Sequence, residues 1–262
     1  MVSLLVSAAG DGRCGGSAVK EDSSDDESDV CIVADVSSAN PLAVRGSSQS
    51  DSCRANVMKQ LELRKASMQQ NRPNHFIALP VTDAAILEHV QRIQDDCSKH
   101  TSANLSSHIV EPGNLHVTLS AIRIDESDLD IVTECMYDTV VSHSSAITRE
   151  PLTIGQLSNF WSRVLYASVC SDSLDDFVML LRERLREAGV RTFDKDTFVP
   201  HLTLIKLPQQ TKASFPMHEM ASRWNMKADR EVLGRQTAEE LVLFSMERDE
   251  CRHYNRVLTL QL

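Results

Sequence analysis

The tripeptide His-x-Thr occurs twice in this chain, at His116 to Thr118 within LHVTLSAIRI and at His201 to Thr203 within FVPHLTLIKL. None of the other histidines has a threonine two positions on. Both tripeptides lie in apolar, alternating runs that read as β-strands. A strand repeats its side-chain direction every second residue, so each histidine shares a face with its threonine. In the first run Leu115, Val117, Leu119 and Ala121 are expected on the opposite face.

The surroundings of the two tripeptides match. Before the first, HFIALPV reads as a strand, Thr82 as a helix N-cap, and Ile86, Leu87, Val90 and Ile93 recur at helical spacing. Before the second, PLTIGQL and RVLYASV read as a hairpin across SNFWS. A helix follows with Leu174, Phe177, Leu180, Leu181 and Leu185 inward and Gly189 as its stop. Between the two lies DESDLDIVTECMYDTVV, an acid-capped helix with Leu129, Val132 and Met136 inward. LVLFSME and YNRVLTLQL close the second half as strands. The order strand, helix, H-x-T strand therefore repeats, which predicts an α+β fold of two halves related by an approximate two-fold axis.

If both H-x-T faces meet in one cleft, they surround a single ligand with two imidazoles and two hydroxyls. A phosphodiester fits: one imidazole takes a proton from the attacking oxygen, the other protonates the leaving oxygen, and the hydroxyls bond the non-bridging oxygens. Histidine suits both roles because its ordinary pKa lies near 6.5. A lone H-x-T in a strand is more often a satisfied core histidine beside a β-forming threonine. Its repetition in matching contexts reverses that balance.

Composition narrows the alternatives. No apolar run approaches the ~18–20 residues of a membrane span, and MVSLLVSAAGDGR has no basic segment ahead of its apolar stretch, so an intracellular protein, cytoplasmic or nuclear, is expected. Seven cysteines without a C-x-x-C pair argue against a disulfide framework and against zinc, and no metal or cofactor is expected. Residues 1–54 hold nine acids against four bases, with EDSSDDESD and SSQSDS among them. Such a segment buries too little to offset its ordering entropy. The expected organisation is a disordered acidic tail with a short lead-in helix over 1–70, the helix read within 54–70, and one domain over 71–262.

RPNHFIALPVT, LHVTL, FVPHLTLIKL and the closing LFSM and HYNRV resemble the two-histidine (2H) phosphoesterase superfamily, and within it the central domain of A-kinase anchoring proteins of the nuclear-localisation-signal type. The resemblance implies a bilobal LigT-like fold: two antiparallel sheets with pseudo-two-fold symmetry, flanked by helices, with the motif strands lining a groove. It implies metal-independent cleavage of 2′-linked phosphodiesters, in 2′,5′-oligoadenylate or 2′,3′-cyclic phosphates, by His116, Thr118, His201 and Thr203. The alternative is a non-catalytic AMP- or nucleotide-binding or scaffolding module. The chain ends in a strand without an amphipathic anchoring helix, so binding of the protein kinase A regulatory subunit is unsupported. No GXXG element of an RNA-binding KH module occurs. A monomer that binds a nucleotide or short RNA, and no membrane, is expected.

Further candidates surround the motifs. Tyr254, Phe160 and Trp161 are candidate base-stacking residues, against the alternative of aromatics capping the core or a strand edge. Lys206 has the opposite strand parity to His201 and is expected to point away from the ligand. Phosphate charge is expected to meet Arg163, Arg252 or Arg256. Pro200 marks a bulge or an edge position.

Overall fold

The structure is a computed structural model that describes residues 58–59, 71–100, 105–208, 216–226 and 232–262. The acidic tail, and all of the lead-in helix except Met58 and Lys59, lie outside the described residues.

Among the described residues the strands form one continuous antiparallel path built as two lobes. The first lobe contains β1 (His75–Pro80) and β2 (His116–Arg123), and the second contains β3 (Leu152–Phe160) and β4 (Val164–Cys170). The short β5 (Arg191–Thr192) pairs with β2, and β6 (His201–Lys206) carries the second motif. β7 (Gly234–Gln236), β8 (Glu240–Arg248) and β9 (Tyr254–Gln261) complete the path β7-β3-β4-β6-β2-β1-β8-β9. The closing strands β8 and β9 therefore belong to the first lobe, against β1, and not to the second half as their sequence position suggested. β1 has one edge on β2, and the chain end supplies the strand that covers its other edge.

Helices α1 (Ala84–Lys99), α2 (Leu129–Arg149), α3 (Leu174–Glu187) and α4 (Met217–Asn225) cover the sheet. They exchange lobes. α1 precedes β2 in the chain but packs on β6 and β7, while α3 precedes β6 but packs on α2, β2 and β5. α1 buries Ile86, Val90 and Ile93, with Leu87 only partly covered. Its N-cap is Asp83 rather than Thr82. The Asp83 carboxylate accepts from the Ile86 amide at 3.0 Å, and the Thr82 and Asp83 amides are taken by the Gln236 side chain. α2 buries Val132 and Met136 as expected, together with Cys135 and Ile147. α3 buries Leu174, Phe177, Val178, Leu181 and Leu185, so Val178 takes the inward place expected for Leu180. The helix stops at Gly189, whose φ of 80° lets the Val190 amide fold back onto Leu185 O at 2.8 Å. No helix among the described residues is long and apolar enough to cross a membrane.

Both motif strands carry a β-bulge one residue beyond the threonine. Across β1–β2, Thr118 faces Ala78 and Ser120 faces Ile77, leaving Leu119 as the extra residue. Across β4–β6, Thr203 faces Tyr166 and Ile205 faces Leu165, leaving Leu204 as the extra residue. An extra residue reverses the inside–outside alternation beyond it. Hence Ile122, not Ala121, continues the buried face of β2.

The carbonyls of the two bulges are held by helix side chains in a crossed arrangement. Arg182 of α3 donates through Nε and Nη2 to Leu119 O, at 2.8 and 2.7 Å. Gln94 of α1, fully buried, donates to Leu204 O at 3.0 Å and to Val110 O at 2.9 Å. Each helix thus clamps the motif strand of the other half.

Candidate active site

The two motif strands meet at a single register pair, Val117 opposite Leu202. These are the middle residues of the two H-x-T tripeptides, and both are fully buried. In an antiparallel pair this register sets His116 across from Thr203 and Thr118 across from His201, all four side chains on the face away from the core. They line one cavity of about 250 Å³, together with Lys206, Arg248, Arg252 and Tyr254.

The imidazoles are held alike. His116 Nδ1 lies 2.6 Å from Asn114 O, and His201 Nδ1 lies 2.7 Å from Val199 O. A carbonyl only accepts, so Nδ1 carries the proton in each ring and Nε2 is left for the cavity. Asn114 is itself buried and fixed. Its amide donates to Arg252 O at 3.0 Å and its Oδ1 accepts from the Tyr254 amide at 3.1 Å, tying the β8–β9 connection to the first motif. Neither threonine hydroxyl has a hydrogen-bond partner among the described residues.

Aromatic rings back both histidines. Phe76 stacks on His116 with centroids 4.7 Å apart, Tyr254 meets it edge-on at 5.8 Å, and Phe244 completes the group. Phe160 and Tyr166, themselves stacked at 4.1 Å, present ring contacts to His201 at 5.1 and 5.4 Å. The apolar packing around His116 strips water from a charged ring and lowers its pKa from 6.5 to about 4; the nearby His201, Lys206 and Arg248 push the same way, against the Asn114 carbonyl. His116 is therefore neutral at neutral pH.

The other residues singled out from sequence divide. Tyr254 lines the cavity, with the Arg248 guanidinium over its ring at 4.6 Å. Phe160 and Trp161 line an adjoining hollow of about 350 Å³ that shares Thr118 and His201 with the cavity. Trp161 stands at the hairpin tip, mostly exposed, with the Lys195 ammonium 4.7 Å from its ring centre. Arg252 lines the cavity, and Arg256 lines a second adjoining hollow, where it pairs with Glu240. Arg163 sits in the hairpin turn and lines none of these spaces. Pro200 comes just before β6, and its carbonyl accepts from the Val169 amide at 3.2 Å. The expectation for Lys206 was wrong: the Leu204 bulge reverses the parity and turns Lys206 into the cavity. Arg248 and His108, which also line it, had no local signal, because tertiary pairing alone brings them there. Among the described residues no group of three His, Cys, Asp or Glu side chains gathers as a metal site.

A family model described as the AKAP7 2'5' RNA ligase-like domain matches residues 73–262. The chain belongs to this family. Human A-kinase anchor protein 7 isoform gamma is 21% identical over 155 residues, covering 56% of this chain and 44% of the relative. The chain thus spans less than half the length of that curated relative. Among solved structures, TT0787 of Thermus thermophilus is 17% identical with a TM-score of 0.50, covering 72% of this chain and 97% of that one. E. coli LigT complexed with 3'-AMP is 16% identical with a TM-score of 0.49, covering 73% and 98%. The domain has the α+β fold shared with TT0787, as expected for a member of the 2'5' RNA ligase-like family.

Proposed function

We propose that this AKAP7-type domain is a metal-independent phosphodiesterase acting on 2′-linked nucleotides, with its active centre between the two H-x-T strands. The observation that carries the reading is the shared cavity: two imidazoles with Nε2 available and two unengaged threonine hydroxyls face one space. His116, kept neutral by burial, is the general base and takes the proton of the attacking hydroxyl or water as the new P–O bond forms. His201, its Nδ1 held on Val199 O, is the general acid and gives a proton from Nε2 to the leaving oxygen as the old P–O bond breaks. Thr118 and Thr203 donate to the non-bridging oxygens, where charge builds up in the transition state. The family description, with its 2′,5′-linked RNA, supports the choice of linkage. Tyr254 on one side and Phe160 and Trp161 on the other offer ring faces to the bases flanking the scissile phosphate.

The test is incubation of the protein in chelator with 2′,5′-oligoadenylate, 3′,5′-linked RNA and a 2′,3′-cyclic nucleotide, beside His116→Ala and His201→Ala. Cleavage of a 2′-linked substrate that either change reduces by at least about a hundredfold supports the reading. Saturable nucleotide binding without turnover by the unmutated protein would replace it with a binding module.

A further inference from the structure

Lys206, Arg248 and Arg252 line the same cavity as the histidine pair, in a protein whose formal net charge is −10. Among the described residues none of the three is in an ion pair. Arg248 donates one N–H to the Tyr254 hydroxyl, at 3.0 Å, and its remaining donors have no partner among the described residues. The one carboxylate lining the space is Glu111, 3.8 Å from His253 Nε2. Among the described residues that line the space, three cations therefore face one carboxylate, an excess of two positive charges. The adjoining hollow, around Phe160, Trp161, Phe193 and Phe198, is aromatic; its Arg182 is paired with Asp194 at 3.4 Å and its Lys195 ammonium lies 4.7 Å from the Trp161 ring centre.

A scissile phosphodiester carries a single negative charge, and the histidine and threonine groups already meet it. The two spare cationic charges match a phosphate monoester, which carries ~1.5–2 negative charges near neutral pH. Like charges gathered beside His116 are costly without an anion, and two of these cations help to hold that imidazole neutral.

We infer that Lys206, Arg248 and Arg252 form a second phosphate subsite, which takes a terminal phosphomonoester on the nucleoside whose 2′-oxygen bears the scissile phosphate. This rests on the phosphodiesterase reading for its orientation, since that reading places the scissile phosphate between the imidazoles. The preferred substrate is then a 5′-phosphorylated 2′-linked oligonucleotide rather than one ending in a hydroxyl.

Calorimetric titration of the full chain compares adenosine 2′-monophosphate with adenosine 2′,5′-bisphosphate. The bisphosphate is expected to bind about ten- to a hundredfold more tightly, because charge-assisted hydrogen bonds to the second phosphate are made only by it. Lys206→Met and Arg252→Gln, both exposed side chains, should each remove most of that gain and change monophosphate affinity far less. Equal affinity for the two ligands, or a gain that survives both substitutions, overturns the subsite. A 5′-hydroxyl trinucleotide binding as tightly as a 5′-phosphorylated dinucleotide overturns the monoester in favour of a further diester. Because binding is read, a protein that prefers the bisphosphate yet cleaves no phosphodiester contradicts the catalytic reading alone. One that cleaves without preference contradicts the subsite alone.

Discussion

Val117 faces Leu202 across the seam between the lobes, and through this one pair the two H-x-T motifs come into register. Both side chains are fully buried. Leu202→Ala is expected to cost about 2–5 kcal/mol of stability, and Val117→Ala less. Because the residues touch, the double variant should be non-additive by about 0.5–3 kcal/mol in a urea-unfolding cycle, with turnover showing coupling too. Independent effects would mean that the seam does not hold the motifs together.

The crossed clamps give a second expectation. Arg182→Met removes two charge-assisted bonds from Leu119 O and leaves Asp194, which accepts from Ser120 Oγ at 2.6 Å, without its guanidinium. The expected loss is about 2–4 kcal/mol. Gln94→Leu strands the Val110 carbonyl and leaves Leu204 O with the Val110 amide alone, at 2.9 Å, and should cost about 1–3 kcal/mol. At temperatures where both variants stay folded, each should lower kcat more than it raises KM, since the clamps position the threonines and do not contact substrate through those bonds.

The pH dependence follows from His116. Its pKa is about 4 in the fold against 6.5 when unfolded, so between those values the unfolded chain binds the extra proton. The contribution is fully present above pH ~6.5 and is lost as pH falls towards ~4, with a slope of at most ~1.4 kcal/mol per pH unit. His116→Gln should flatten this part of the stability curve, as measured by denaturant midpoints across the range. The acid limb of kcat/KM should likewise lie well below the ordinary imidazole range. A limb at about 6.5 would contradict His116 as the base.

The hairpin tip stores backbone strain. Trp161 and Ser162 both have left-handed backbones, with φ of 48° and 54°, closed by the Arg163 amide on Phe160 O at 2.9 Å. Ser162→Gly removes the Cβ penalty at one of these positions and should stabilise the protein by about 0.5–1 kcal/mol, read as a rise in Tm with turnover unchanged.

The motif strands, their pairing into one site and the helices around them were legible because alternation and helical spacing are local. What sequence reasoning missed has a common physical source. A bulge adds one residue where local periodicity assumes none, so Ala121 was placed on the core face of β2 and Lys206 away from the ligand, each on the wrong side of an unseen break. The Leu119 and Leu204 bulges are stabilised by Arg182 and Gln94 from helices of the opposite half, and no local pattern signals such a partner. The lobe of β8 and β9 was misread for a similar reason, since edge pairing with β1 is decided by which strand is left uncovered. Asp83 displaced Thr82 as the cap because Gln236, far along the chain, claims the backbone there.

The central claim is that both imidazoles serve one phosphorus atom. Nitrogen NMR of histidine-labelled protein, titrated with adenosine 2′-monophosphate in chelator, tests it most directly. The account predicts that one equivalent shifts the Nε2 resonances of His116 and His201 together, along a single saturation curve, while both Nδ1 resonances stay in the protonated range. Perturbation of one ring alone, or separate curves for the two, would contradict it.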